Sequence, residues 1–132
     1  MRPETAAFLD TAREQLGRAG TMLGVGLAED AGRAAYLAGL HAAQALLFER
    51  TGRAFKKHAS VRGEFGRLAR DDPRFDAELR AFLGRAYVLK AVADYETGPG
   101  PRVPPELAGR AVETAERFVS AVAALLAEDS PA

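Results

Sequence analysis

The sequence predicts an all-α fold, an up-and-down bundle of about five helices. Two observations predict it. Apolar side chains recur every three or four residues in five successive segments, which is the spacing of one face of an α-helix. No stretch of the chain shows the period-two alternation that is typical of strands. The length of 132 residues fits a single domain spanning residues 1–132, large enough to bury about two-thirds of its unfolded surface.

The first two helices are predicted from their apolar stripes. The first covers about residues 4–24, and the second covers about residues 29–50. The second is apolar over such a wide arc that we expect it at the centre of the domain. Asp30 is predicted as the N-cap of this helix, and Gly52 as its left-handed C-cap.

Three further helices follow. The third is predicted over about residues 58–70, the fourth over about 74–95, with Pro73 at its start, and the fifth over about 105–128. Between the last two, the ten residues from Glu96 to Pro105 hold four prolines and two glycines, which predicts a loop. The apolar faces of several helices are wide for a monomer of this size. We therefore expect the second and fourth helices to pair in a two-fold homodimer.

Composition and motif spacing exclude several function classes. The chain has no cysteine, which excludes a disulfide scaffold and a cysteine zinc site. Its two histidines are seventeen residues apart, a spacing not used by metal motifs, and Gly98-Pro99-Gly100 lacks the amides of a phosphate cradle. We expect no metal and no cofactor. The apolar runs are far shorter than the roughly 20 residues that span a bilayer, and no signal segment is visible, so we expect a cytoplasmic protein without membrane contact.

A basic cluster lies between residues 50 and 70. The chain as a whole has 18 basic and 18 acidic side chains, but here seven Lys and Arg residues are opposed by one acid. Because the helix dipole disfavours cations at a helix start, local stabilisation does not explain Lys56 and Lys57. One interpretation is a phosphate-contacting patch for RNA or a nucleotide, including Arg53 and His58. The other is a solvated loop.

The two histidines have different expected roles. His41 lies among apolar residues of the second helix, where a histidine is more often a core group than a catalyst. His58 follows two lysines, whose charge should disfavour the protonated imidazole. A neutral imidazole near physiological pH can act as a base. Surface decoration is the alternative explanation for His58.

The end of the fourth helix carries a small polar network. Lys90 and Asp94 are four residues apart, and Tyr87 lies on the same face. One explanation is an ordinary ion pair between residues i and i+4 of a helix, which contributes roughly 0.3 kcal/mol. The functional alternative is a polar site in a cleft between two subunits, with a phenol and an ammonium group near a phosphodiester.

Three stretches, in order along the chain, resemble a HEPN domain (higher eukaryotes and prokaryotes nucleotide-binding) of the small standalone bacterial and archaeal branch. Residues 33–43, with sequence RAAYLAGLHAA, resemble the family's RAYYAAFHAA helix. Residues 56–61, KKHASV, resemble its KTHSGV segment, and residues 85–95 resemble its aromatic residue followed by R-x-x-A-D-Y. The resemblance implies a helical bundle similar to nucleotidyltransferase substrate-binding subunits, often dimeric, and encoded beside a minimal nucleotidyltransferase as the toxin or partner half of the pair.

The resemblance also implies a site that this sequence alters. Active HEPN ribonucleases use an R-x4–6-H motif near the dimer interface, in which the histidine is the acid or base and the arginine stabilises the phosphorane. Here the matching positions are Lys90 and Tyr95. Lysine lacks the bidentate fork of arginine, and tyrosine, with an ordinary pKa of about 10, is a poor base at neutral pH. Arg53 and His58 also satisfy the spacing, but they precede the third helix.

We therefore expect a HEPN-like module that binds a nucleotidyltransferase partner, a nucleotide or RNA, with weak or no catalysis. The alternatives are a metal-independent endoribonuclease of toxin type and a structural dimerisation module. The residues expected at the catalytic position are Lys90, Asp94 and Tyr95. The residues expected to bind a nucleotide or RNA are Tyr36, His41, Arg53, Lys56, Lys57 and His58.

Overall fold

A computed structural model describes residues 1–95 and 103–129 of the chain. These residues form five helices, and no strand occurs among them. The all-α prediction is therefore confirmed. Most of the predicted proline-rich loop lies in residues 96–102, outside the described residues. The helices are α1 (Pro3–Gly24), α2 (Ala28–Thr51), α3 (His58–Ala69), α4 (Ala77–Tyr95) and α5 (Pro105–Asp129).

Helix α2 lies at the centre of the fold, as its wide apolar arc predicts. It packs against each of the other four helices. Because half of its buried residues are alanines and two more are glycines, neighbouring helix backbones approach closely. The approach is closest at Gly39, where a methyl group would overlap the ring of Phe82 on α4. The central position of α2 thus depends on small side chains as much as on apolar ones.

The expectation that α2 offers surplus apolar area to a second copy is wrong. Its buried face is covered within the chain by the neighbouring helices, and Tyr36, Leu46 and Leu47 are at most 2% exposed. The exposed large apolar side chains of α4 are instead Tyr87, Val88 and Tyr95. A homodimer therefore stays a proposal, and α4 rather than α2 is the helix with apolar surface to offer.

An aromatic cluster joins the three C-terminal helices. Phe118 on α5 has its ring centroid 4.9 Å from that of Phe65 on α3 and 5.3 Å from that of Phe82 on α4. Phe75, which lies in the connection before α4, is 5.1 Å from Phe65 at a nearly perpendicular angle. These tilted and edge-on geometries are the favoured ones for aromatic pairs. The cluster fixes α3 against α4, which positions the site described below.

One predicted helix start and one predicted N-cap are wrong. Helix α4 begins at Ala77, not at residue 74, because the Asp76 carboxylate accepts a hydrogen bond of 2.9 Å from the Leu79 amide and so caps the first turn. Helix α2 is preceded by Leu27, so Asp30 lies inside the first turn, where its charge complements the helix dipole. The C-terminal prediction is confirmed, since Gly52 has φ 73° and its amide donates to the Phe48 carbonyl at 2.8 Å.

Two classes of feature are not found in the described ranges. No helix within residues 1–95 and 103–129 has the length and apolar character needed to cross a membrane. Over the same ranges, no group of three or more His, Asp or Glu residues is arranged to hold a metal ion.

Candidate functional site

The hydroxyl of Tyr36 is the centre of a polar cluster formed by α2, α3 and α4. Tyr36 is fully buried, yet its hydroxyl accepts a hydrogen bond of 3.0 Å from Nη1 of Arg62 and lies 3.3 Å from Nδ1 of His58. Arg62 is only a donor, and a buried hydroxyl needs an acceptor for its own hydrogen, so we assign the hydroxyl hydrogen of Tyr36 to Nδ1 of His58. The neutral imidazole therefore carries its own proton on Nε2, which forms no hydrogen bond with the described residues.

Helix packing explains why these groups meet. His58 and Arg62 are four residues apart and lie on one face of α3, beside the buried face that carries Val61 and Phe65. Tyr87 on α4 closes the cluster, because the Arg62 guanidinium lies 4.0 Å from the centre of its ring. The ring of Tyr87 also meets the ring of Tyr36 edge-on, with centroids 5.7 Å apart.

The end of α4 supplies the second half of the cluster. Asp94 accepts from Lys90 at 2.7 Å and from Arg33 of α2 at 3.1 Å. The side chains of Lys90 and Asp94 are only 19% and 23% exposed. We call Arg33, Tyr36, His58, Arg62, Tyr87, Lys90 and Asp94 the Tyr36 cluster.

The electrostatics of the Tyr36 cluster favour a bound anion. Three permanent cations, Arg33, Arg62 and Lys90, are opposed by the carboxylate of Asp94. Burial lowers the pKa of His58, and the neighbouring Lys90, Arg62 and His41 lower it further. Burial raises the pKa of Tyr36 above 10, although Arg62 and Lys90 partly oppose that effect. His58 and Tyr36 are thus neutral hydrogen-bonding groups in a positive surrounding at neutral pH.

Lys90 stays charged in this surrounding. Its hydrogen bond to Asp94 raises the pKa of the ammonium group above its ordinary value, and the Asp94 charge adds to this effect. The prediction that Lys56 and Lys57 keep His58 neutral is wrong. Lys56 and Lys57 are exposed, and the charges that act on the imidazole are those of Lys90 and Arg62.

The predicted site residues separate into two groups. Tyr36, His58, Lys90 and Asp94 come together in the Tyr36 cluster. Tyr95 is 75% exposed and touches the site only through its ring, which lies 5.8 Å from Nζ of Lys90.

The remaining predicted residues lie beside the cluster. Nδ1 of His41 is 2.7 Å from the side-chain oxygen of Gln44, whose amide group donates to the carbonyl of Phe55 at 2.9 Å. Gln44 therefore anchors the loop before α3, and His41 holds the Gln44 side chain. Arg53 lies 4.8 Å above the ring of Phe55, and no hydrogen bond or ion pair joins it to the described members of the cluster.

Three members of the Tyr36 cluster, Arg33, Arg62 and Tyr87, are absent from the residues predicted to bind or catalyse, although Tyr87 was part of the polar network predicted at the end of the fourth helix. Arg33 and Arg62 each had a visible signal. Arg33 precedes Tyr36 by three residues and Arg62 follows His58 by four, which are helical neighbour spacings. The contact between Arg62 and Tyr36 joins residues 26 apart in sequence, and only the packing of α3 on α2 creates it.

Comparison with known proteins decides the family. A HEPN domain model matches residues 5–125, nearly the whole chain. The chain belongs to the HEPN domain family.

A solved structure supports the fold of this HEPN protein. The crystal structure of TT1696 from Thermus thermophilus superposes with a TM-score of 0.72 and 22% sequence identity, covering 93% of this chain and 98% of that one. At that identity the likeness shows the fold alone. A search of curated proteins finds no match to the chain.

Proposed function

We propose that this HEPN protein binds the phosphate of a nucleotide or an RNA at the Tyr36 cluster, with weak or no catalysis. The observation that carries the proposal is the gathering of Arg33, Arg62 and Lys90 against the single carboxylate of Asp94. A phosphate group balances this excess of positive charge, and hydrogen bonds between charged N–H donors and phosphate oxygens are among the strongest available to a protein.

The donors of the cluster suit a phosphate group. Arg62 uses one guanidinium nitrogen on Tyr36, which leaves its other N–H groups for a ligand. Nε2 of His58 carries a hydrogen and has no partner among the described residues. Tyr87 is 37% exposed, and an aromatic side chain beside a phosphate site can stack on a base.

The same geometry supports weak catalysis. A general base needs an unprotonated nitrogen or oxygen that faces the substrate. Nδ1 of His58 is engaged by Tyr36, and its other nitrogen is a donor. Lys90 is held in its protonated form by Asp94, and Tyr95 extends into solvent. None of these three groups is placed as a base at neutral pH.

A metal-independent ribonuclease is the second candidate function. The observation that favours it is the neutral imidazole of His58 next to Lys90 and Arg62. The two cations would stabilise a phosphorane. In the tautomer with a bare Nε2, His58 would take the proton of the attacking 2′-hydroxyl and then return it, from the imidazolium, to the leaving oxygen.

We further propose, from the family resemblance, that the protein is a homodimer and the partner of a minimal nucleotidyltransferase. The exposed aromatic side chains of α4 outside the cavity described below, Tyr87 and Tyr95, support an interface on that helix. An interface there would place the Tyr36 cluster beside the second chain. A mass twice that of the 14.1 kDa chain in sedimentation would support the dimer, and a monomer at micromolar concentration would contradict it.

Binding of fluorescently labelled single-stranded RNA and of labelled ATP, followed by anisotropy at several salt concentrations, tests the main proposal. We expect Arg62→Gln and Lys90→Gln each to weaken binding and to reduce the slope of log affinity against log salt by about 1. Arg13→Gln is the matched control, because Arg13 is exposed on α1 and belongs to no ion pair in the described structure. Equal binding by all variants would contradict the proposal.

The two candidate functions differ in cleavage. Incubation with RNA in EDTA followed by gel analysis distinguishes them, with His58→Gln as the diagnostic variant. Cleavage that is lost in His58→Gln would establish the ribonuclease, whereas salt-sensitive binding without cleavage supports the binding module.

A further inference from the structure

A cavity between α4 and α5 is not part of the Tyr36 cluster. Its volume is about 360 Å³, and its walls are mostly apolar. Three apolar side chains define its length: Phe82 is buried at the inner end, while Val88 and Leu107 are 57% and 41% exposed at the rim. The lining residues share no member with the Tyr36 cluster, because the cavity lies on a different side of α4.

Two arginines give this cavity an unbalanced charge. Arg85 on α4 and Arg110 on α5 both line it, and neither forms an ion pair or a side-chain hydrogen bond with the described residues. The exposed carboxylate of Glu78 also lines the cavity, but it accepts hydrogen bonds from Arg117 and Thr114 of α5 and forms no ion pair with Arg85 or Arg110. The cavity therefore combines apolar walls with two guanidinium groups, one on each wall, that have no ion-pair partner among residues 1–95 and 103–129.

We propose that this cavity binds a small organic anion with an apolar body, a carboxylate with a medium-length alkyl chain. The chain would cover Phe82, Val88 and Leu107, and the carboxylate would accept from Arg85 and Arg110. Charge complementarity selects an anion over a neutral or cationic ligand. The volume falls within the range of about 300–1,000 Å³ that small-molecule sites have.

A second copy of this chain is a poorer occupant for the same reason. In a two-fold interface both copies use the same patch, so the two unpaired arginines of each copy would be brought into one interface. Like charges in such an interface are unfavourable unless acids separate them. The proposal therefore commits to a small molecule.

Titration with octanoate, octanol and octylammonium tests the proposal, followed by amide chemical shifts in the ¹⁵N-labelled protein. We expect octanoate to shift the amides of residues 82–89 and 107–114, octanol to bind more weakly, and octylammonium to bind least. We expect Arg85→Gln and Arg110→Gln each to lower octanoate affinity about fivefold, the effect of losing roughly 1 kcal/mol, and added salt to reduce the difference. Arg13→Gln again serves as the control and should bind like the original protein.

A second variant guards against effects on folding. Leu107→Glu changes a partly exposed rim residue and places a carboxylate at the cavity mouth, so it should weaken octanoate binding while leaving the far-ultraviolet circular dichroism unchanged. The absence of octanoate shifts at these residues would overturn the proposal. Equal binding of octanoate and octanol, or octanoate affinity unchanged in both arginine variants, would overturn it as well. Lys90→Gln should leave octanoate binding intact, so failure of this proposal is distinguishable from failure of the phosphate site.

Discussion

The hydroxyl of Tyr36 lies 3.3 Å from Nδ1 of His58, and this contact determines which nitrogen of the imidazole carries the proton. Arg62 donates to the same hydroxyl and so directs the Tyr36 hydrogen toward His58. The chain of bonds from Arg62 through Tyr36 to His58 presents a hydrogen-bond donor, not a base, on the free side of the ring. The tautomer of His58 thus depends on the guanidinium group of Arg62, although no hydrogen bond joins these two side chains.

Tyr36→Phe tests the structural value of this chain. Removal of the buried hydroxyl leaves the Arg62 guanidinium and the His58 ring without their shared partner, and we expect a loss of about 1–3 kcal/mol in the free energy of unfolding. Urea denaturation measures it. The matched control is Tyr95→Phe, which removes a hydroxyl from a side chain that is 75% exposed and should change stability by no more than about 0.5 kcal/mol. Similar effects of both variants would contradict the role assigned to Tyr36.

His58 should make stability depend on pH. Its pKa is lowered by burial, and by Lys90, Arg62 and His41. As pH falls through the ordinary histidine pKa of about 6.5, the unfolded chain therefore binds a proton before the folded chain does. Stability contributed by neutral His58 is fully present above that pH and declines as the pH falls toward the lowered folded value. Urea unfolding at a series of pH values on either side of the ordinary histidine pKa should show this decline, and His58→Gln should reduce it. The same slope in both proteins would contradict the assignment.

The architecture was predictable from sequence because each helix buries one face. Periodicity identified all five helices, and Gly52 ended α2 as predicted. Helix starts were less predictable, because several acids near the start of α4 are chemically able to cap it. Asp71, Asp72 and Asp76 compete there, and only the structure shows that Asp76 meets the Leu79 amide.

The site was predictable only where its residues are close in sequence. Lys90 and Asp94 are four apart on one helix, so their pairing follows from helical geometry. The pairs Tyr36–Arg62 and Arg33–Asp94 depend on how α2, α3 and α4 pack, which periodicity does not specify. Tyr95 was expected in the site because the family resemblance matches it to the histidine of the R-x4–6-H motif, yet its position at the end of α4 leaves it exposed.

Asp76→Ala tests the cap of α4. Loss of the carboxylate removes the hydrogen bond to the Leu79 amide and the ion pair with Arg117. We therefore expect a lower thermal unfolding midpoint than for Asp71→Ala, which changes an exposed acid in the connection between α3 and α4. An equal midpoint for both variants would contradict the cap.

The same carboxylate should respond to pH. The hydrogen bond from Leu79 lowers the pKa of Asp76, and Arg117 lowers it further. The contribution of Asp76 to stability is therefore present above the unfolded pKa of the carboxyl group and is lost as the pH falls through the folded value. The difference in midpoint between Asp76→Ala and the original protein should shrink over that acidic range, and a constant difference would contradict this assignment.

Gly39 and Gly84 form a matched pair for the packing of α4. A methyl group at Gly39 would overlap the ring of Phe82 and lie 3.1 Å from a Leu83 methyl carbon, so Gly39→Ala should destabilise the protein by about 1–3 kcal/mol. Gly84 lies on α4, the helix that packs against Gly39, but a methyl group at Gly84 would meet no atom of a neighbouring helix within 4 Å. Gly84→Ala should therefore stabilise α4 by up to about 1 kcal/mol. Urea denaturation measures both, and the same sign for the two would contradict the close approach of α2 and α4.

Asp94→Asn tests the charge balance that supports phosphate binding. The carboxylate neutralises Lys90 and Arg33, and asparagine keeps the shape of the side chain while removing its charge. The Tyr36 cluster then has one more uncompensated positive charge, so we expect affinity for labelled RNA to rise by up to about fivefold at low salt, the effect of roughly 1 kcal/mol. Above about 0.1 M salt, where the screening length is about 10 Å, the increase should shrink.

Asp129→Asn is the matched control for this charge effect, because Asp129 also pairs with an arginine, Arg50, outside the cluster. Both variants change the net charge of the protein by the same amount, but only Asp94→Asn changes the charge of the Tyr36 cluster. Anisotropy titrations of the two variants therefore separate a local effect from the change in net charge. An equal rise in both would mean that RNA responds to the charge of the whole protein and not to this site.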